Sequence, residues 1–128
     1  MAASTNALSG YAITANGTTL TSGGNTIDAI TAGSGATSSQ GSEQFGINLK
    51  DNATPNVGAE PTDSVNLTLG TGYGTVDSYK FVTGNTVASK SAASNATKFT
   101  VSYIANIGGA TEAGTYTGTY TYICTATF

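Results

Sequence analysis

The chain lacks several residue types on which enzyme chemistry commonly depends. It contains no His, Arg or Trp, a single Cys and two Pro among 128 residues. Without imidazole there can be no Ser-His-Asp or Cys-His arrangement and no His-based zinc site. No Ser stands three residues before any of the four lysines, so the Ser-x-x-Lys nucleophile is also missing. We therefore expect a protein that is not an enzyme and that uses no cofactor.

Charged residues are also scarce. They make up 9% of the chain, against roughly 25% in an average protein. The net charge is −3, and the four lysines are isolated from one another in the sequence. Nucleic acids and anionic membranes bind clustered Lys or Arg, so neither is an expected partner. No apolar run approaches the roughly 20 residues that a membrane span needs.

Thr, Ser, Gly, Ala and Asn dominate what remains. Seven Tyr and four Phe accompany them, and this aromatic content argues against disorder. Uncharged hydroxyls and amides solvate a β-rich surface without lysines, a composition that we take as typical of a secreted or cell-surface protein. The amino end, Met-Ala-Ala-Ser-Thr, lacks the basic and apolar regions of a signal peptide. We expect that a signal peptide has been removed.

Alternating patterns predict strands along the whole chain. The longest runs from Ala113 to Phe128, with Tyr and Thr on opposite faces, and shorter ones cover Glu43–Lys50, Ser64–Leu69, Thr75–Thr83 and Lys98–Ile107. No stretch has the spacing of an amphipathic helix, and glycine-containing turns separate the strands. The pattern predicts an all-β fold with a single antiparallel β-sandwich, and a small β-barrel is the alternative.

Cys124 lies on the tyrosine face of the last predicted strand. As the only cysteine it cannot form a disulfide within the chain. A buried apolar thiol, an intermolecular bridge and a reactive thiol remain as interpretations. Because free cysteines are usually buried, we expect a buried thiol.

The chain divides by composition into three parts. Residues 1–32 form an N-terminal strand segment, residues 33–42 a flexible Gly/Ser linker, and residues 43–128 the core domain. The N-terminal segment carries a weak alternation and is a candidate donor strand for a neighbouring subunit. The residues that would enter such a neighbour are Ala7, Tyr11, Ile13 and Ala15. A strand that stays within its own domain explains the same pattern.

Two further groups of residues are candidate binding sites. A polar loop offers oxygen ligands for calcium in Asp51, Asn52, Asn56, Glu60 and Asp63, without EF-hand spacing. A polar loop with two prolines needs no metal to explain this composition, so we expect no metal. Tyr73, in a Gly-rich turn, and Tyr103 are candidate ligand contacts, provided that their rings are exposed.

The stretch Ala113-Gly-Thr-Tyr-Thr-Gly-Thr-Tyr-Thr-Tyr-Ile-Cys-Thr resembles the closing strand of bacterial surface β-sandwich proteins, in particular WxL-type cell-wall domains and pilin-like subunits. The resemblance covers about residues 113–128. Tyr122-Ile123-Cys124 stands where WxL domains have Trp-x-Leu. The resemblance implies an immunoglobulin-like sandwich on a microbial surface.

These observations lead to two functional hypotheses. The first is a structural subunit of an extracellular filament, pilus or surface layer that polymerises with itself by β-strand donation. The second is an adhesin or carbohydrate-binding module whose partner is a glycan or the cell wall. A carboxylate-dependent glycosidase would need two positioned acids, and no spacing in the sequence selects a pair.

Overall fold

The computed structural model describes residues 1–128, and its regular secondary structure consists of β-strands without any helix. No helix long and apolar enough to cross a membrane is present. All strand pairings are antiparallel. The strands are β1 (Ala2–Thr5), β2 (Tyr11–Gly17), β3 (Thr21–Ser22), β4 (Asn25–Thr26), β5 (Gln44–Asn48), β6 (Asn52–Ala53), β7 (Asn56–Val57), β8 (Leu67–Leu69), β9 (Asn85–Lys90), β10 (Ser94–Lys98), β11 (Ser102–Asn106) and β12 (Tyr120–Ala126).

The largest sheet has four strands in the order β12-β2-β9-β8. Strand β2 lies inside this sheet, with β12 on one side and β9 on the other. Its alternation is regular, so that Tyr11, Ile13 and Ala15 are buried while the residues between them are half-buried. The structure thus places the candidate donor strand in the centre of its own sheet, with Ala7 also buried just before it.

A second sheet pairs β11 with β5. Main-chain hydrogen bonds extend it on the β5 side, where Ile47 pairs with Lys80 and Phe45 bonds to residues 28 and 30. Phe45 and Ile47 face the four-stranded sheet, and Ile104 of β11 packs on the opposite face with Ile30 and Tyr79. Both faces of β5 are therefore covered.

Residues from both sheets form one main core. It comprises Tyr11, Ile13, Ala15, Ile27, Phe45, Ile47, Leu49, Tyr73, Phe81, Val87, Ala88 and Phe99. Three two-stranded pairs, β1-β10, β3-β4 and β6-β7, lie around it. The fold is all-β, as predicted. The sheets do not close on themselves, so the alternative of a β-barrel is wrong.

The segment 33–42, interpreted from its composition as a linker, makes ordered contacts. Ala36 pairs with Tyr79, and the Ser78 hydroxyl donates to the carbonyl of Ser34 at 2.7 Å. The buried Lys80 ammonium donates to the carbonyl of Gly33 at 3.0 Å. These bonds connect the segment to the extension of the second sheet.

Four strand predictions need correction. Residues 75–83, predicted as a strand, form only isolated pairings, of Tyr79 with Ala36 and of Lys80 with Ile47. Of the predicted strand Ser64–Leu69, only Leu67–Leu69 forms a strand, and Val65 is exposed.

The alternation from Lys98 to Ile107 is interrupted, because residues up to Lys98 pair with β1 whereas β11 pairs with β5. Beyond the break, Tyr103 and Ala105 keep the predicted face, opposite Ile47 and Phe45, but both are exposed, as is Ile107. Ser102 and Ile104, on the other face, are buried, and Ile104 packs with Ile30 and Tyr79. The last strand is also shorter than predicted, since β12 begins only at Tyr120.

Candidate interaction edge

Strand β12 has one unpaired edge. It forms the end of the four-stranded sheet and pairs only with β2. Thr127 N–H donates to Gly10 C=O at 2.9 Å, and in an antiparallel pair the groups of alternate residues point to the same side. The odd-numbered residues of β12 therefore bond to β2. The N–H and C=O groups of Tyr120, Tyr122, Cys124 and Ala126 point away from the sheet and make no main-chain hydrogen bond.

Strand β11 also has a free edge. In its partner β5, Phe45 and Ile47 direct their main-chain groups away from β11, toward Asp28 and Lys80. The remaining residues of β5 therefore bond to β11 through Ser102, Ile104 and Asn106. The main-chain groups of Tyr103 and Ala105 point outward from this edge.

Three tyrosines connect these two edge strands, and we call Tyr103, Tyr120 and Tyr122 the tyrosine seam. The hydroxyls of Tyr103 and Tyr122 are 2.7 Å apart, and the ring centroids of Tyr103 and Tyr120 are 5.8 Å apart. Behind the seam, the ring of Tyr120 stacks on Phe45 at 5.2 Å. The two free edges therefore lie on the same side of the molecule.

The seam combines solvent exposure with burial. Tyr103 is 46% exposed, whereas Tyr120 and Tyr122 are half-buried against the core. Burial, followed by the hydrogen bond with Tyr103, raises the pKa of the Tyr122 hydroxyl well above its usual range. Burial likewise raises the pKa of Tyr120. Tyr120 and Tyr122 are thus neutral over the physiological pH range.

The free edge of β12 lacks the features that usually protect edge strands. Charged side chains, prolines, bulges and short length all discourage pairing with another chain. Residues 113–128 contain no Lys, Asp, Glu or Pro, and the seven residues of β12 pair with β2 without a bulge. The opposite edge, β8, has only three residues. An uncharged strand edge of this length is suited to strand addition.

Cys124 is exposed, and the prediction of a buried thiol is wrong. Along the tyrosine face of β12, coverage decreases from half-buried Tyr120 and Tyr122 to exposed Cys124 and Ala126. The physical reason is that the facing side chains of the core reach only the first part of this strand. Partial burial still raises the pKa of the Cys124 thiol.

The proposed calcium loop is held together by its own hydrogen bonds. Buried Asn52 donates through Nδ2 to Asn48, Lys50 and Val57, and its Oδ1 accepts from Asp77 N–H at 2.8 Å. The amide oxygen that would serve as a ligand is therefore used within the chain. Asn56, in strand β7, is exposed.

The acids of this loop are bound to lysines. Glu60 lies 2.5 Å from Lys50, and Asp63 lies 2.5 Å from Lys90, whose side chain is fully buried. These hydrogen bonds lower the pKa of Glu60 and of Asp63. Asp51 is exposed beside them. No group of three or more His, Cys, Asp or Glu side chains occurs that would hold a metal ion.

The two tyrosines proposed as ligand contacts differ in position. Tyr73 is 1% exposed, and its hydroxyl accepts hydrogen bonds from Val82 N–H at 3.2 Å and from Asn85 at 3.3 Å. It is a core residue and has no surface for a ligand, which corrects the prediction. Tyr103 is exposed in the seam, where a ligand could reach its ring.

Sequence reasoning did not identify the free edge itself. It placed Tyr120, Tyr122 and Cys124 on one face but gave no information on which strands lie beside them. Ile123, on the other face, is 48% exposed and was not singled out. The signal available in the sequence was the absence of any charge or proline after Glu112.

The comparisons with known proteins give no relative: no family model, no curated protein and no solved structure matches the chain.

Proposed function

We propose that this protein is a non-enzymatic structural subunit of an extracellular filament, pilus or surface layer, with an immunoglobulin-like β-sandwich whose copies associate by β-strand addition. The observation that carries the proposal is the uncharged, unpaired edge of β12. Main-chain hydrogen bonds supply affinity in strand addition, and alternating side chains determine the register.

The edge of β12, rather than the N-terminal segment, is the site of association in this proposal. Donation of β2 to a neighbour would remove Tyr11, Ile13 and Ala15 from the core and separate β12 from β9. Addition at β12 leaves the fold intact, because the groups of Tyr120 and Cys124 that would form the new bonds are already free. It therefore costs no rearrangement of the core.

The composition also suits association between identical copies. A surface of Thr, Ser, Asn and Gly with few charges suits a protein that packs densely with copies of itself, since like charges on neighbouring copies repel one another. The net charge of −3 leaves little such repulsion to overcome.

The exposed ring of Tyr103 favours glycan binding as a second candidate function. Aromatic rings offer an apolar face to sugars and a hydroxyl at the rim, and the seam supplies both. A glycan screen with the wild type and a Tyr103→Ala variant tests this alternative. Binding that the variant loses would support it, whereas no binding by the wild type would exclude it for the glycans screened.

A proline substitution tests pairing at the free edge of β12 without disturbing the fold. The N–H of Cys124 points outward, so Cys124→Pro removes a donor from the free edge without breaking the bonds to β2. Cys124→Ala is the matched control, because it removes the thiol and keeps the N–H. Circular dichroism establishes that both variants fold.

The measurement is particle size as a function of protein concentration, by sedimentation and by negative-stain imaging. We expect large assemblies from the wild type and Cys124→Ala, and markedly smaller species from Cys124→Pro. Monomers from the wild type at every concentration would refute the proposal. Assemblies of folded Cys124→Pro as large as those of the wild type would contradict association through the edge of β12.

A further inference from the structure

We propose that the strand added to β12 is β12 of a second copy, in antiparallel orientation, with Ile123 of each copy on a two-fold axis. The inference rests on the proposed function and specifies its partner. Two identical edges can pair only if their hydrogen-bonding groups and their side chains are complementary to themselves, and β12 satisfies both conditions.

The hydrogen-bonding groups select one register. The outward groups of β12 belong to Tyr120, Tyr122, Cys124 and Ala126. When Ile123 stands opposite Ile123, Tyr120 faces Ala126 of the second copy and Tyr122 faces its Cys124, so every outward group of the strand has a partner. A shift by two residues in either direction leaves an end residue of the strand without one.

The side chains fit in the same register. Directly opposite residues lie on the same face of a sheet, with Cβ atoms about 4.5–5.5 Å apart. On the face of the seam, each large ring meets a small residue: Tyr120 meets Ala126, and Tyr122 meets Cys124, whose sulfur is a favourable neighbour for an aromatic ring.

The opposite face of the strand is also self-complementary. Ile123 is 48% exposed in the single chain and would pack against Ile123 of the second copy. Thr121 would stand opposite Thr125, and cross-strand Thr pairs stabilise antiparallel sheets. No like charges face each other, because residues 113–128 carry no charged side chain.

The pair would form one continuous sheet of eight strands, since each copy contributes the four strands β8-β9-β2-β12. Its outer edges would be the three-residue strand β8 of each copy, and short edges resist further addition. A two-fold contact closes on itself, so a filament or layer would consist of such pairs joined through another surface.

A charge-swap experiment tests the two-fold axis. Ile123→Lys and Ile123→Glu each place two like charges opposite one another in the pair, whereas an equimolar mixture places Lys opposite Glu. The side chain of Ile123 points away from the core, so both variants should fold. Leu8→Lys and Leu8→Glu are matched controls, because Leu8 is 87% exposed outside the strands.

The readout is sedimentation velocity. We expect a species of twice the monomer mass from the wild type and from both Leu8 variants, monomers from each Ile123 variant alone, and recovery of the dimer in the Ile123 mixture. Dimers from the single Ile123 variants, or a mixture that stays monomeric, would overturn the two-fold register while leaving strand addition elsewhere open. A wild type that never associates would refute the proposed function as well.

Disulfide formation tests the register independently. In a Cys124→Ser background, Ile123→Cys places two thiols directly opposite each other, within reach of a disulfide. The native Cys124 residues are offset by two positions, at about 7–8 Å, which is too far for a bridge without movement. With oxidised glutathione, we expect the Ile123→Cys protein to cross-link and the wild type to remain reduced. Equal or faster cross-linking of the wild type would overturn the register.

Discussion

Truncation of Ile13 tests whether β2 belongs to the core of its own chain. Ile13 is 2% exposed, lies in the middle of β2 and pairs with Cys124 on one side and Ala88 on the other. Ile→Ala substitutions in cores cost about 2–5 kcal/mol, through lost transfer energy and the cavity left behind. Strands on both sides hold the backbone in place, so the site cannot collapse, and we expect a loss of about 4 kcal/mol.

A loss of this size is large, because a typical domain has only about 5–15 kcal/mol of stability. The assay is urea unfolding in an Ile123→Lys background, which removes edge pairing and its dependence on protein concentration. Leu8→Ala, at an exposed position, is the control and should change stability by less than about 0.5 kcal/mol.

The same experiment addresses strand donation. If β2 folds within its own chain, the unfolding midpoint of the Ile123→Lys protein is independent of protein concentration. A midpoint that rises with concentration in this background, or a loss of less than about 1 kcal/mol for Ile13→Ala, would contradict the assignment of β2 to its own core.

Three further predictions concern side chains elsewhere. Tyr73→Phe leaves the N–H of Val82 without its acceptor, and urea unfolding should show a loss of about 1–3 kcal/mol; no loss would contradict the assigned bond. The raised pKa of Tyr122 stabilises the fold below the ordinary Tyr pKa of about 10, so the stability of the fold should fall as pH rises above that value. Thermal unfolding as a function of pH measures this decline, and Tyr122→Phe should show a weaker one. The lowered pKa of Asp63 stabilises the fold above the ordinary Asp pKa of about 3.9, so its pairing with Lys90 should be lost as pH falls below that value. Asp63→Asn should therefore lose less stability than the wild type between pH 5 and pH 2. An acid profile that the substitution leaves unchanged would contradict the pairing.

Much of the fold followed from alternation. The strand that carries Phe45 and Ile47, and the strand character of residues 120–126, could be read directly from period-two patterns. The pattern failed between Lys98 and Ser102, because it cannot show that the chain changes from one partner strand to another. Beyond that point the face that carries Tyr103 is exposed, whereas Ile104 is buried on the opposite face.

The candidate site was less accessible to sequence reasoning. Alternation assigns Cys124 to a face, but whether another layer covers that face depends on the extent of the neighbouring sheet. The same limit applies to Tyr73, whose Gly-rich turn lies within the core. Edge positions follow from strand order, which strand count does not determine. The free groups of Tyr122 and Cys124 thus became visible only in the structure.

Residue-resolved amide hydrogen exchange of β12 tests the central claim most directly. Pairing of two copies would protect the outward amides of Tyr120, Tyr122, Cys124 and Ala126, which have no partner in the single chain. We expect these amides to exchange rapidly in dilute solution and slowly at high protein concentration, while the odd-numbered amides of β12 stay protected in both. Outward amides that exchange rapidly at every concentration would contradict association through this edge.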